Sequence, residues 1–285
     1  MFYFITVVAV AIFLYGFYER VARYLEGDED PFERLDDIAS RVVDATVIVG
    51  SNVKQYDRDR TAGIMHTFVF WGFVTLLVGT SILAIEMDVW RKVLGQPRLF
   101  VGDFYLSYSL VMDVLGFVFL VGIGMALFTR YVTEDPRLWG EHTSLEDDLF
   151  VWALFLLGLG GFVQEGVRIL ADGFPAYETV SPVGMTVAIG LNGLGLSPEL
   201  ATSLYAPLWW SHALLALAFV ATVPYAKPGH MLTSFANVVT RDPDAGKRLP
   251  GVPADLSPDE IGTSSIEDFS WKQILDHDAC TKCGR

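Results

Sequence analysis

Five stretches of this sequence stay apolar over the length a helix needs to cross a bilayer. They are Met1 to Tyr18, Ile64 to Ile85, Phe104 to Phe128, Leu149 to Leu170 and Leu208 to Ala226. A helix crossing the hydrocarbon layer needs roughly 20 such residues, and five in one chain are out of keeping with a soluble core. Within lipid the backbone N–H and C=O groups must bond inside the segment, so each run is expected to be helical. Composition agrees: 52% of the 285 residues are hydrophobic and 19% charged, where a soluble domain carries about 25% charged. The expected fold is an all-α membrane protein, a five-helix transmembrane bundle with a mostly irregular cytoplasmic C-terminal tail. A soluble enzyme, a disordered scaffold and a disulfide-rich secreted module are set aside.

The first run lacks a basic start and a small-residue cleavage site, so it reads as a retained helix. The stretch Val183 to Leu196 is too short to cross and is interrupted by glycine, so it is expected to lie at the interface or re-enter. Residues 19–63 carry Arg20, Arg23, Arg34, Arg41, Lys54, Arg58 and Arg60. Arg130 and Arg137 lie in the loop 129–148, and seven more basic residues follow Ala226. The opposite loops hold only Arg91, Lys92 and Arg98, with none in 171–207. The positive-inside rule then puts the N-terminus outside and the tail in the cytoplasm, with the chain in the plasma membrane. The formal charge of −14 argues against nucleic acid as a partner. Gly72, Gly79, Gly116, Gly122, Gly124, Gly158 and Gly161 are expected to let the helix backbones approach closely.

Three histidines lie in or beside the spans. His66 falls near the cytoplasmic end of the second, His212 near the outer end of the fifth, and His230 just beyond the fifth on the cytoplasmic side. Were one helix continuous from His212 to His230, they would be about 27 Å apart and could not share a small site. His66 and His230 are expected at similar depth on different helices. Such a pair suits the axial positions of a six-coordinate haem, or else two interfacial histidines bonding headgroups or carbonyls. His142 reads as solvated, and His277 as a surface residue or a local hydrogen bonder.

The two cysteines, Cys280 and Cys283, are too few for a disulfide framework and point to thiolate chemistry in a reducing compartment. Their spacing matches the opening of the ferredoxin run C-x2-C-x2-C-x3-C-P; a zinc half-site and a redox dithiol are the rivals. A third cysteine of that run would fall one position beyond Arg285, so the sequence is expected either to continue or to use the pair otherwise. Near the outer ends stand Gln164, Glu165, Arg168, Glu86 and His212, with Asp113 mid-span. Glu165 and Arg168 read as a charge-neutralising pair at i, i+3, or with His212 as a quinone pocket that exchanges protons. Asp113 reads as a proton relay or a helix-packing hydrogen bonder.

From Met1 to Leu232 the chain resembles the five-helix cytochrome b (gamma) subunit of respiratory nitrate reductase. The resemblance rests on Ile64-Met-His66, on Ser211-His212, and on Tyr225-Ala-Lys-Pro-Gly-His230 with its histidine eighteen residues after His212. It implies haem b ligated by His66 and His230. The family's second helix-II histidine would fall ten residues after His66, where Leu76 stands, so one haem is implied and His212 lacks its usual partner. Residues 233–268 read as a linker. The segment 269–285, with Ser270-Trp-Lys-Gln-Ile-Leu-Asp-His-Asp-Ala-Cys280-Thr-Lys-Cys283, looks like the start of the iron–sulfur region fused to such domains in heterodisulfide-reductase-like oxidoreductases. These include membrane-bound oxidoreductases that link an electron-transfer flavoprotein to quinone. The implied function is oxidoreductase electron transfer in a respiratory chain, between a cytoplasmic flavoprotein or iron–sulfur partner and quinone. A 4Fe-4S cluster would form only if further cysteines follow or a partner supplies them. The alternative is a non-catalytic membrane anchor or assembly subunit of a redox complex.

Overall fold

The apolar runs fold as helices whose ends depart by several residues from the limits hydropathy marks. The computed structural model describes residues 1–136, 138, 144–248, 251, 262 and 265–280. In chain order the helices are α1 (Phe2–Tyr24), α2 (Ile38–Ser51), α3 (Val53–Arg58), α4 (Arg60–Ala84), α5 (Gly102–Tyr131), α6 (Leu145–Ala171), α7 (Pro182–Gly193), α8 (Pro198–Thr222), α9 (His230–Val239) and α10 (Trp271–Asp278). A π-helical stretch, Ile85–Val93, continues α4, and short 3-10 turns precede α7 and link α8 to α9. No strand occurs among the described residues. Five helices are long and apolar enough to cross a membrane: Phe2–Tyr24, Arg60–Val93, Gly102–Tyr131, Leu145–Ala171 and Pro198–Tyr225.

Capping explains the added turns. Asp59 accepts the Ala62 N–H at 3.1 Å and starts α4 four residues before Ile64. Ser144 and Asp147 form a capping box at the head of α6, with the Ser144 N–H donating to Asp147 at 2.9 Å. The fifth span starts at Pro198 rather than Leu208 and carries Pro207 inside the helix. The helix also stops sooner than an uninterrupted run to His230 requires. Thr222 ends α8, and turns at Val223–Tyr225 and Lys227–Gly229 follow, each with a proline that offers no backbone N–H. The continuous-helix rise between His212 and His230 therefore does not hold. The stretch Val183 to Leu196, expected to lie at the interface or re-enter, largely forms the 12-residue helix α7. The expected linker at 233–268 begins as helix, because α9 runs to Val239.

The chain forms two compact units, one of Met1–Lys54 with Leu217–Arg285 and one of Gln55–Ala216. In the second, small residues set the spacing of α4 and α5. A Cβ at Gly72 would lie 2.5 Å from the Phe119 Cβ, and one at Gly122 would lie 2.9 Å from the Val69 nitrogen. Such close backbone approach is how helices gain van der Waals contact where lipid removes the hydrophobic drive. Val167, Ile169 and Leu170 of α6, Ala188 of α7 and Ala201 of α8 form a buried cluster. In the first unit, α10 is docked against the C-terminal end of α1 and the loop that follows it. The Asp28 N–H donates to the Phe269 carbonyl and the Trp271 N–H to the Asp28 carbonyl, both at 2.9 Å. The Ser270 hydroxyl donates to Asp30 at 2.9 Å. Ile274, Leu275 and Lys272 are buried, and Lys272 pairs with Asp276.

Candidate functional site

His230 is the first residue of α9, just after the turn that ends the fifth span. Its Nδ1 lies 2.7 Å from the Lys227 carbonyl. A carbonyl only accepts, so Nδ1 carries the proton and the lone pair of the neutral ring is on Nε2. Metal-binding histidines commonly have their second nitrogen fixed in this way. Burial lowers the basicity of the ring, partly offset by that hydrogen bond, and so favours the neutral form a metal requires. Cys280, in the same unit, is exposed directly after α10; Cys283 lies outside the described residues, as does His142. Among the described residues, no group of three or more His, Cys, Asp or Glu side chains is placed to hold a metal ion.

His66, in the second unit, sits half-buried on α4, its ring stacked on Phe70 with centroids 6.3 Å apart. Further along the same helix, Leu76 faces α5, its Cδ2 3.6 Å from where a Cβ on Gly116 would stand. His212 lies in the middle of α8 rather than near an end of the span, because the helix starts at Pro198. Its Nδ1 is buried without a hydrogen-bond partner among the described residues and lies 3.4 Å from the Cβ position of Gly160 on α6.

The acidic residues of this unit separate into different jobs. Asp113 on α5 is 2% exposed and accepts the Val183 N–H at 3.0 Å and the Gly184 N–H at 2.8 Å. It supplies the first turn of α7 with an anionic acceptor that the local sequence lacks. Glu165 on α6 packs against the same turn, its Oε2 2.6 Å from the Cβ position of Gly184. Arg168 stands 4.0 Å from Glu165, so the expected pair between them is only loose. Its main partner is Glu178: one guanidinium nitrogen meets Oε1 and the other reaches Oε2 at 3.0 Å. The Tyr105 hydroxyl donates to the same carboxylate at 2.6 Å. Burial opposes charge on the fully buried Glu178, yet these hydrogen bonds hold its carboxyl below the ordinary range. Glu86 is not part of this group. It is buried at the start of the π-helical stretch and accepts the Leu99 N–H at 3.1 Å.

The structure thus brings together Asp113, Glu165 and Arg168, and adds Glu178 and Tyr105, which sequence reasoning missed. The available signal for Glu178 was its place in 171–207, a segment without a single basic residue, shortly after Arg168.

These helices and their buried polar contacts define a multi-pass α-helical membrane protein. Over nearly its whole length the chain is similar to the EtfAB:quinone oxidoreductase of Syntrophomonas wolfei, at 33% identity over 293 residues, 99% of this chain and 39% of the relative. A probable iron-sulfur-binding oxidoreductase FadF of Bacillus subtilis is 27% identical over 291 residues, 100% of this chain and 39% of the relative. One subunit of the dihydromethanophenazine:CoB–CoM heterodisulfide reductase of Methanosarcina acetivorans is 27% identical over 172 residues, 60% of this chain and 54% of the relative. The chain spans about two fifths of the length of the first two relatives. None of the three belongs to a nitrate reductase. No family model matches the chain, and no solved structure matches it.

Proposed function

We propose that this chain is the membrane portion of a quinone-linked oxidoreductase. It would carry electrons between a cytoplasmic flavoprotein or iron–sulfur partner and the quinone pool, with haem b held by His66 and His230. The observation that carries the reading is the His230 ring, partly buried beside the end of the fifth span and oriented through Nδ1 by the Lys227 carbonyl. The similarity to proteins named as quinone and iron–sulfur oxidoreductases supports it. When bound, the haem would supply reversible one-electron carriage. His230, through Nε2, and His66, through an imidazole nitrogen, would be the residues that hold it. Cys280 and Cys283 would serve as two ligands of a 4Fe-4S cluster only if further cysteines follow or a partner supplies them. Proton exchange with quinone would fall to Glu165 and His212, since Asp113, Arg168 and Glu86 have their polar atoms engaged in internal hydrogen bonds and ion pairs. The N-terminus would lie outside and the tail in the cytoplasm, following the basic residues of the loops.

The test is haem b per chain in detergent-purified protein, from the pyridine haemochrome and a reduced-minus-oxidised spectrum. One haem per chain is expected, and His66→Ala and His230→Ala should each abolish it. Haem retained by both variants refutes the ligand assignment. No haem in wild-type protein expressed with ample supply would leave the membrane-anchor reading.

A further inference from the structure

One guanidinium in the first unit touches both the segment that ends in Cys280 and the turn that presents His230. Arg20, near the end of α1, makes an ion pair with Asp278 at 3.2 Å, two residues before Cys280. The Tyr24 hydroxyl, one helical turn further on, donates to the same carboxylate. On its other side the Arg20 Nη2 donates to the Ala226 carbonyl at 3.5 Å. Gly229, the residue before His230, leaves room for this side chain: a Cβ there would lie 2.6 Å from the Arg20 Cζ and 2.9 Å from Nη2. The rest of α1 keeps the turn in place. Tyr225 donates to the Ile12 carbonyl at 3.0 Å, and a Cβ on Gly16 would lie 2.8 Å from Pro224. A planar fork can hold two partners in different directions at once, which an ammonium on a flexible stem does poorly. The Arg20 side chain is only 15% exposed, so water screens these contacts little.

We propose that Arg20 is a positioning residue that links the cysteine-bearing C-terminal segment to the His230 turn, so that a change at either is felt at the other. The electrochemical arm of its test rests on haem ligation by His230, and the proteolytic arm does not. Arg20 and Asp278 together are neutral. Removing the guanidinium leaves a carboxylate near the turn, which favours the oxidised iron, while removing the carboxylate leaves an unpaired cation, which favours the reduced iron. Gly229→Ala changes no charge but places a methyl group where the guanidinium stands.

The experiment uses the purified full chain in detergent with Arg20→Gln, Arg20→Lys, Asp278→Asn and Gly229→Ala. The first readout is cleavage after Lys272 by a lysine-specific protease, since Lys272 is 3% exposed while α10 is docked. The second is the haem midpoint potential at unchanged haem content. Cleavage should rise severalfold in Arg20→Gln and Gly229→Ala, and Arg20→Lys should fall between them and wild type. The potential should shift down in Arg20→Gln and up in Asp278→Asn. Wild-type protection of Lys272 in both Arg20→Gln and Gly229→Ala overturns the link. Potentials that do not move, or move the same way in Arg20→Gln and Asp278→Asn, also overturn it. If wild-type protein holds no haem, the haem reading falls by itself, and a rise in cleavage in both variants still supports the link.

Discussion

Replacing Asp113 with alanine removes the acceptor of two backbone N–H groups, Val183 at 3.0 Å and Gly184 at 2.8 Å, in a place where Asp113 and Gly184 are buried. Each N–H left without a partner costs about 1–3 kcal/mol, so the pair amounts to about 2–6 kcal/mol. Loss of a carboxylate from the N-terminus of α7 adds up to about 2 kcal/mol in partly buried geometry. Asparagine keeps one acceptor oxygen and loses the charge, so Asp113→Asn is expected to cost about half as much, roughly 1–3 kcal/mol. Both are measured as changes in unfolding free energy in mixed micelles titrated with denaturing detergent and followed by tryptophan fluorescence. Amide exchange at Val183 and Gly184 locates the loss. An alanine variant within about 0.5 kcal/mol of wild type, the range of an ordinary surface change, would refute the capping role. Asp113→Asn that leaves stability intact but blocks quinone-linked turnover would point to the proton relay instead.

Arg168→Ala is expected to destabilise by about 3–5 kcal/mol in the same titration, because it leaves the fully buried Glu178 uncompensated. The double change Arg168→Ala with Glu178→Gln should recover much of that loss; a double variant no better than the single one would assign the damage to packing. The docking of α10 should also depend on pH through Asp30. Burial opposes its charge, but Arg34, the Ser270 hydroxyl and the Phe32 N–H outweigh this and hold the carboxyl below its ordinary value. A carboxyl lowered by folding stabilises fully above its unfolded pKa of about 4, and the contribution is lost as pH falls through the folded value. Protection of Lys272 should therefore hold from neutral pH down to about 5 and fail in stronger acid. In Asp30→Asn, protection should be weaker at neutral pH and flatter with acid, and a profile identical to wild type would sink this account.

The spans were legible because each needs only a long apolar run, a property of the local sequence. Their ends were less so. The first turns of α8 contain Glu199 and two prolines, Pro198 and Pro207, which lower any hydropathy window, yet Pro198 is well suited to a first helical turn. That misplacement moved His212 from mid-helix towards an end. The turn after Thr222 was concealed for the opposite reason, since Pro224 and Pro228 lie in sequence that is still apolar. The short helix before Cys280 starts at a local signal, since Ser270 with Gln273 forms the capping box at its head. The partners of the buried charges were not readable. Periodicity along α6 offers Glu165 to Arg168, whereas Glu178 reaches it from outside that helix, and Asp113 meets α7 across 70 residues. Such pairings are set by tertiary packing, and no local pattern encodes them.

The docking of α10 on α1 has a consequence for how the chain is made. Ser270 and Asp30 are 240 residues apart, and the partners of Arg20 and Tyr24 lie equally late in the sequence. At a synthesis rate of about 5–20 residues per second, α1 waits roughly 12–48 s before the residues that satisfy its C-terminal end emerge. During that interval Arg20 and Tyr24 lack the Asp278 carboxylate, and Asp30 is held only by Arg34 and the Phe32 N–H. The first helix to be made is thus among the last to finish folding, and a ribosome that stops short of Ser270 releases a chain whose opening helix meets the Tyr225 turn but not α10.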